Sequence, residues 1–178
     1  MGKLVTALFR SRAAAMLAME DLVRHGFSQD DISLLMSEST RGREFMVNEA
    51  TKAPEGMATG AAIGGALGAL LLGLTTVGTL VAPGIGLAIA GHWQTALAGF
   101  GAGAIGGGLI GGLAGMGIPE HEAEIYRGEV EKGGILLGIF AASDARAKEA
   151  QSLMMANSAE HLHIADAREP KKVERGAA

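Results

Sequence analysis

The chain has 178 residues, a net charge of -4 and no cysteine. This length is sufficient for one domain with a buried core, and the absence of cysteine excludes disulfide bonds and thiolate metal sites. An acidic chain with 4% aromatic residues lacks the basic surface and the stacking side chains of a nucleic-acid-binding protein.

The first residues predict one strand-helix-strand unit. Residues 3 to 9 are rich in Leu, Val and Phe and alternate loosely, which is typical of a strand. Ser11 is a suitable N-cap for a helix to about His25, and Gly26 follows where a left-handed residue often ends a helix. Residues 32 to 36 predict the second strand. The opening apolar run is too short for a signal peptide, so we expect the start of the chain to stay in the cytoplasm.

After a polar connector, the stretch from Gly56 to Pro119 contains no Asp, Glu, Lys or Arg. Glycine makes up 28 of the 178 residues, about twice its usual share of roughly 7%, and in this stretch it recurs at four-residue spacing. Residues four apart share one helix face, so each ladder of glycines predicts a groove along which another backbone approaches closely. The candidate helix-packing residues are Gly56, Gly60, Gly64 and Gly68 in the first ladder and Gly99, Gly103, Gly107, Gly111 and Gly115 in the second.

The two ladders predict a glycine-zipper hairpin of two helices, at residues 57 to 81 and 93 to 116, joined by a turn at residues 83 to 92. Each helix exceeds the ~20 residues that cross a bilayer. Basic residues flank the hairpin while the turn holds only His92, which predicts an inner-membrane protein with both termini in the cytoplasm. Trp93 is then an interfacial anchor. The alternative is a cytoplasmic, soluble assembly in which the hairpins bury one another.

The residues after the hairpin repeat the first pattern. A helix at residues 119 to 132, with Pro and acids in its first turn, leads to a strand at 135 to 141. A helix at 144 to 156, with Ser143 as candidate cap, leads to a last strand at 161 to 166. At an offset of 131, apolar strand and helix positions of the two halves coincide. Gly26 then coincides with Asn157, and these are the residue types that most easily adopt the left-handed conformation.

Two such units in tandem predict an α+β protein with a ferredoxin-like sandwich. The expected sheet has four antiparallel strands in the order 4-1-3-2, with two helices on one face. The hairpin is then an insertion between the second and third strands. We expect residues 1–55 to hold the first half and the connector, 56–118 the hairpin, 119–168 the linker helix and the second half, and 169–178 a flexible tail.

The run GIPEHEAEIY at residues 117–126, followed by GGIL at 133–136, carries a family resemblance. With the two halves and the glycine-rich insertion, it resembles the bacterial general-stress proteins, also called heat-induced stress proteins. The resemblance covers about residues 3 to 166. It implies a ferredoxin-like fold and a link to stress, and it brings no catalytic activity and no catalytic motif to carry over.

The histidines offer weak candidates for a metal site. His161 and His163 would share one face of the last strand, but the spacing places no third ligand beside them. His121 stands among glutamates that the dipole of the helix start already accounts for. The glycines lack the Lys-Ser/Thr ending of a phosphate-binding loop. We therefore predict no catalytic, cofactor or metal site.

These observations favour a non-enzymatic, self-associating structural protein that acts during stress and is anchored to a membrane by the glycine-zipper hairpin. Its partners would be other copies of the chain and the lipid bilayer, with no nucleic acid. Two alternatives remain, a soluble homo-oligomer built on buried hairpins and a ligand-sensing ferredoxin-like module. A pore lined by the hairpins is disfavoured by their lack of polar residues.

Overall fold

In a computed structural model of the chain, the structure describes residues 2–40, 80–82, 87–91, 93 and 108–167. Within these ranges the regular elements form one mixed α/β arrangement around an antiparallel sheet. In chain order they are β1 (Lys3–Phe9), α1 (Arg12–Arg24), β2 (Ile32–Ser37), β3 (Leu80–Ala82), β4 (Leu87–Gly91), α2 (Gly108–Gly115), α3 (Glu120–Glu131), β5 (Ile135–Ala141), α4 (Asp144–Ala156) and β6 (Glu160–Asp166). Single helical turns at Gln29–Asp31 and Glu38–Thr40 flank β2.

The strands lie in the order β3-β4-β2-β5-β1-β6, and all neighbouring strands are antiparallel. The four longer strands thus have the spatial order predicted from the internal repeat. The predicted bounds of β1 and β5 agree with the structure, and those of β2 and β6 differ by one residue at one end. The alternation and the apolar runs were therefore sufficient to locate these strands.

The helix ends agree with the predicted capping signals, with one correction. Ser11 and Ser143 are N-caps, and their hydroxyl oxygens accept hydrogen bonds from the amides three residues later. Gly26 has a φ of 79°, as predicted for the end of α1. The prediction that Asn157 has the same conformation is wrong, because its φ is -101°. Ser158, with a φ of 64°, takes the left-handed position after α4 instead.

Helices cover both faces of the sheet. α1 and α4 pack on the first face, as predicted, and α2, α3 and Trp93 pack on the second. The helix predicted at residues 119 to 132 is present as α3, and it covers the second face of the same domain. Strands buried on both faces are nearly continuous apolar runs, which explains the composition of β2 and β5. The second face is formed by Leu4, Leu8, Leu35, Leu87, Ile89, Leu136 and the α2 and α3 side chains Leu109, Leu113, Ala123, Tyr126 and Val130.

The predicted form of the glycine-zipper hairpin is wrong at its centre. Residues 87 to 91, assigned to a turn on the far side of a membrane, form β4 and pair with β2 in the central sheet. Residues 80 and 81, assigned to the first helix, belong to β3. The reason is that β2 would otherwise end the sheet with unpaired backbone groups, and β4 satisfies them. The first glycine ladder, the polar connector after residue 40 and the tail at 169–178 lie outside the described residues.

Candidate functional site

A cleft lies at one end of the sheet, where β1 and β2 end and β5 begins. Its volume is about 430 Å³, which is in the range of small-molecule sites. Three of the side chains around it are cationic and one is a carboxylate. The lining residues are Arg10, Ser11, Arg12, Thr40, Glu129, Lys132, Gly133, Gly134 and Ile135.

The antiparallel sheet brings these residues together from three distant parts of the chain. Ile135, the first residue of β5, pairs with Phe9 at the end of β1 and with Met36 near the end of β2. The loop after β1, the turn after β2 and the end of α3 therefore meet at the same edge. The Thr40 hydroxyl fixes this meeting point by donating to the carbonyl of Gly133 at 3.3 Å.

The charged groups of the cleft are joined by ion pairs. The Arg10 Nε lies 2.8 Å from both carboxylate oxygens of Glu160, and its Nη1 lies 3.5 Å from Glu129. Lys132 Nζ donates to Glu129 at 2.8 Å. Hydrogen bonding from Lys132 lowers the pKa of Glu129, and hydrogen bonding from Arg10 lowers the pKa of Glu160. All four groups remain at the surface, where water screens these attractions.

Behind the cleft, a buried polar network joins α3 to β1 and β6. The Tyr126 hydroxyl donates to the carbonyl oxygen of His161 at 2.7 Å and lies 3.0 Å from Thr6 Oγ1. Burial raises the pKa of Tyr126 to about 12. His161 has a φ of 45° and lies where the register of β6 against β1 shifts. This bulge brings the carbonyl within reach of the tyrosine, so the network fixes the position of α3 on the sheet.

Two of the nine ladder glycines lie in the described part of the chain, on α2. Gly111 is exposed and Gly115 is half-buried. Among the described residues, a Cβ atom built at Gly111 would meet no heavy atom within 4 Å. The other members of the second ladder, Gly99, Gly103 and Gly107, and the whole of the first ladder, Gly56, Gly60, Gly64 and Gly68, lie outside the described residues.

The prediction that Trp93 is an interfacial anchor is wrong. Its side chain is fully buried in the core of the second face, against β5. Its backbone amide donates to Ser33 Oγ at 3.1 Å. The apolar stretch around Trp93 predicts one continuous hairpin, whereas in the structure β4 pairs with β2 just before Trp93 and brings the indole onto the second face of the sheet.

The histidines do not form a cluster. His161 is exposed and His163 is half-buried on the edge strand β6, and the bulge at His161 interrupts the alternation from which a shared face was predicted. The His121 Nε2 lies 3.7 Å from Glu122. Across the described ranges, no group of three His, Asp or Glu side chains is arranged to hold a metal ion.

Sequence reasoning did not find the cleft, because its charged residues are isolated in the sequence and match no motif. The only available signal was topological. Once the strand order was predicted, the ends of the first and second strands and the start of the third had to meet, and Arg10, Arg12 and Lys132 stand at those points.

Comparison of the chain with family models, with curated proteins and with solved structures gives no match. Among the residues that the structure describes, none of the helices has the length and apolarity needed to cross a bilayer. The fold and the site must therefore be interpreted from their own geometry.

Proposed function

We propose that this chain is a non-enzymatic structural protein with a ferredoxin-like core, and that it self-associates through the glycine face of α2. The order of the four longer strands and the two βαβ halves support the ferredoxin-like assignment. Each of the described ion pairs has at least one exposed member and links elements across the surface or within one helix, which supports a structural role more than a catalytic one.

The observation that carries the proposal is the exposed face of α2. One side of this helix is buried against the sheet through Leu109, Gly112 and Leu113. The opposite side presents Gly111 with open space above its Cα and no charged side chain on the helix. Glycine weakens a helix by about 1 kcal/mol relative to alanine, so the exposed Gly111, four residues before the half-buried Gly115, has a cost that close helix packing offsets. A second copy of the chain supplies the partner helix.

The chain offers a matched pair of substitutions for the test. Gly111 on α2 and Gly128 on α3 are both helical glycines, and a Cβ at either position would meet no heavy atom within 4 Å. The first carbon of a side chain therefore fits at either position, and far-UV circular dichroism checks that each leucine variant is folded. We expect Gly111→Leu to shift sedimentation-velocity profiles toward the monomer, and Gly128→Leu to leave the parent profile unchanged. Equal profiles for all three proteins would exclude the α2 face as the contact.

A second candidate function is attachment to a bilayer, favoured by the absence of charged residues between Gly56 and Pro119. The two-span hairpin predicted from the sequence does not suit the fold. Trp93 and α2 pack on the same face of the sheet, and the 14 residues between them (107 - 94 + 1) would measure roughly 21 Å as a helix, less than the 30 Å hydrocarbon core. We propose shallow apolar contact with the inner membrane, from the cytoplasmic side.

Fractionation distinguishes this contact from full insertion. Shallow association predicts that the protein sediments with membranes and is released by carbonate washing. Resistance to carbonate would support spanning helices. Complete recovery in the supernatant before washing would exclude attachment to a bilayer, and self-association would remain as the only proposed function.

The link to stress rests on the resemblance of residues 117–126 and 133–136 to bacterial general-stress proteins. We propose that the assembled form is the active one during heat stress. A deletion strain should regain heat survival with the parent gene and with Gly128→Leu, and not with Gly111→Leu. If both variants restore heat survival equally, a role in stress does not require self-association.

A further inference from the structure

The cleft at the end of the sheet concentrates positive charge on a chain that is acidic as a whole. Arg10, Arg12 and Lys132 line it, with Glu129 as the one carboxylate among the lining residues. The described lining carries a formal charge of about +2 (three cations less one carboxylate), or about +1 when Glu160, the partner of Arg10, is counted, while the whole chain carries -4. A local excess of cations in a concave site attracts anions and repels metal ions.

The cleft is framed by backbone that other interactions hold in place. Ser11 caps α1, and its hydroxyl accepts a hydrogen bond from the Ala14 amide at 3.2 Å. Thr40 is buried, and it bonds to Ser37 on one side and to the carbonyl of Gly133 on the other. The positions from which the cationic side chains project are therefore set by the fold in the absence of any ligand, which lowers the entropy lost on binding.

The present partners of Arg10 and Lys132 are easily exchanged. Arg10 pairs with Glu160, outside the lining, and Lys132 pairs with Glu129; the side chains of the two cations are 63% and 71% exposed. Such surface pairs contribute little to stability because water screens them. An anion with two charges and several acceptor oxygens competes effectively with single carboxylates, and guanidinium groups match the geometry of phosphate oxygens in particular.

We propose that this cleft binds a phosphate group. The group is carried either by a free phosphorylated small molecule or by the head group of a phospholipid, and both present the same oxygens to Arg10, Arg12 and Lys132. The site lies among residues 10–12, 40 and 129–135 and shares no residue with the glycine face of α2, so it can be tested separately from self-association.

The test uses the full-length protein and two kinds of probe. Inorganic phosphate and pyrophosphate are titrated by isothermal calorimetry at constant ionic strength. Sedimentation with vesicles of phosphatidylcholine, with and without phosphatidic acid, tests the lipid source. Binding of the free anions assigns the site to a soluble ligand, and binding to phosphatidic acid vesicles alone assigns it to a lipid head group. Absence of saturable binding in both assays overturns the proposal.

Charge variants test whether the cleft is the site. Loss of one charge-assisted contact weakens binding by about tenfold, so we expect that loss for Arg12→Gln and for Lys132→Gln. Glu129→Gln removes the competing carboxylate and should tighten binding several-fold. Arg24→Gln is the matched control, because Arg24 is also exposed and paired with acids of its own helix but lies at the other end of α1. Equal weakening by Arg24→Gln, or unchanged affinity in Lys132→Gln and Arg12→Gln, would exclude the cleft.

Gly111→Leu keeps the two proposals distinguishable. It should change the oligomeric state and leave the affinity for phosphate unchanged. If it abolishes phosphate binding, the cleft is not an independent site.

Discussion

The indole ring of Trp93 occupies the space that a side chain at Gly138 would require. A Cβ atom at Gly138 would lie 2.0 Å from Cζ2 of Trp93 and 2.6 Å from Cη2. Gly138 is in the middle of β5, the strand that joins the two halves of the sheet. The absence of a side chain at one strand position thus allows a residue 45 positions earlier (138 - 93) to pack directly on the sheet.

Gly138→Ala should therefore be strongly destabilising. The indole is rigid and fully buried, so the added methyl group forces the ring or the strand to move. Overpacking typically costs about 1–3 kcal/mol, and the 2.0 Å approach favours the upper end of that range, which for a chain of this size lowers Tm by roughly 6–12 °C. Calorimetry of Gly138→Ala beside Gly128→Ala measures the difference, since alanine at the open helical position 128 should be neutral or stabilising. If the Tm of Gly138→Ala lies within about 2 °C of the Tm of the parent, this packing is contradicted.

Fluorescence tests the position of Trp93 directly, because it is the only tryptophan of the chain. A fully buried indole should emit at short wavelength and be poorly quenched by iodide or acrylamide. Brominated phospholipids should also fail to quench it when the protein is mixed with vesicles. Urea should shift the emission to long wavelength and restore quenching, which serves as the control. Strong quenching by brominated lipids in the folded protein would show that Trp93 contacts the membrane and is not buried in the sheet core.

Gly91 and Gly26 both have a positive φ, but they differ in the space that surrounds the position of a missing side chain. Their φ angles are 82° and 79°, but a Cβ at Gly91 would lie 2.1 Å from the carbonyl oxygen of Ile32, and a Cβ at Gly26 would meet nothing within 4 Å. Gly26→Ala should lower the free energy of unfolding by only about 1 kcal/mol, the strain of a left-handed backbone with a side chain. Gly91→Ala should cost at least about 2 kcal/mol more, because a backbone contact must also be relieved. Urea unfolding of the two variants gives the comparison, and equal midpoints would refute the contact between β4 and β2.

Tyr126→Phe should destabilise the protein although it removes a single oxygen atom. The change leaves the buried Thr6 hydroxyl and the His161 carbonyl without this partner, at a cost of about 1–3 kcal/mol. A double-mutant cycle with Thr6→Val checks the mechanism, because the two losses should be less than additive if the hydroxyls interact. Full additivity would show that the pair is not coupled.

The same tyrosine predicts a loss of stability in alkali. Its folded pKa of about 12 lies above the ordinary value of 10, so between these values the unfolded chain has released a proton that the folded chain keeps. Stability is therefore complete below pH 10 and falls as the pH rises toward 12, by at most about 1.4 kcal/mol per pH unit. Tyr126→Phe should lack this dependence. Because the chain has one tyrosine, its absorbance titration locates the folded pKa without interference.

The internal repeat made most of the sheet predictable from the sequence. Leu4 and Ile135 occupy equivalent positions, and the strands that contain them pair in the centre as expected. The caps Ser11 and Ser143 were predictable because an N-cap depends on contacts within one helical turn. Asn157 was assigned wrongly because residue type indicates which positions tolerate a positive φ, while the position at which the chain turns is set by the fit of the following strand.

Tertiary contacts explain what the sequence could not predict. Residues 87 to 90 alternate large and small apolar side chains, a period-two pattern that was overlooked because glycines and a proline precede it and the whole stretch is apolar. Only the free edge of β2 makes this segment a strand. The cleft could not be predicted for a similar reason. Arg12 and Lys132 line the same cleft because the strands beside them pair, and no local sequence pattern indicates this.

The pairing of β1 with β5 has a consequence for how the protein is made. Lys3 lies opposite Ala141, so β1 gains its central neighbour only after all the residues between the two strands have been synthesised. The charge-free stretch from Gly56 to Pro119 emerges during that interval, before the surfaces that bury Trp93 and α2 are complete. Contacts between such distant residues form slowly, and exposed apolar segments aggregate while they wait. The nascent chain is thus most vulnerable between the synthesis of β4 and that of β5, which is the period when a chaperone would protect it.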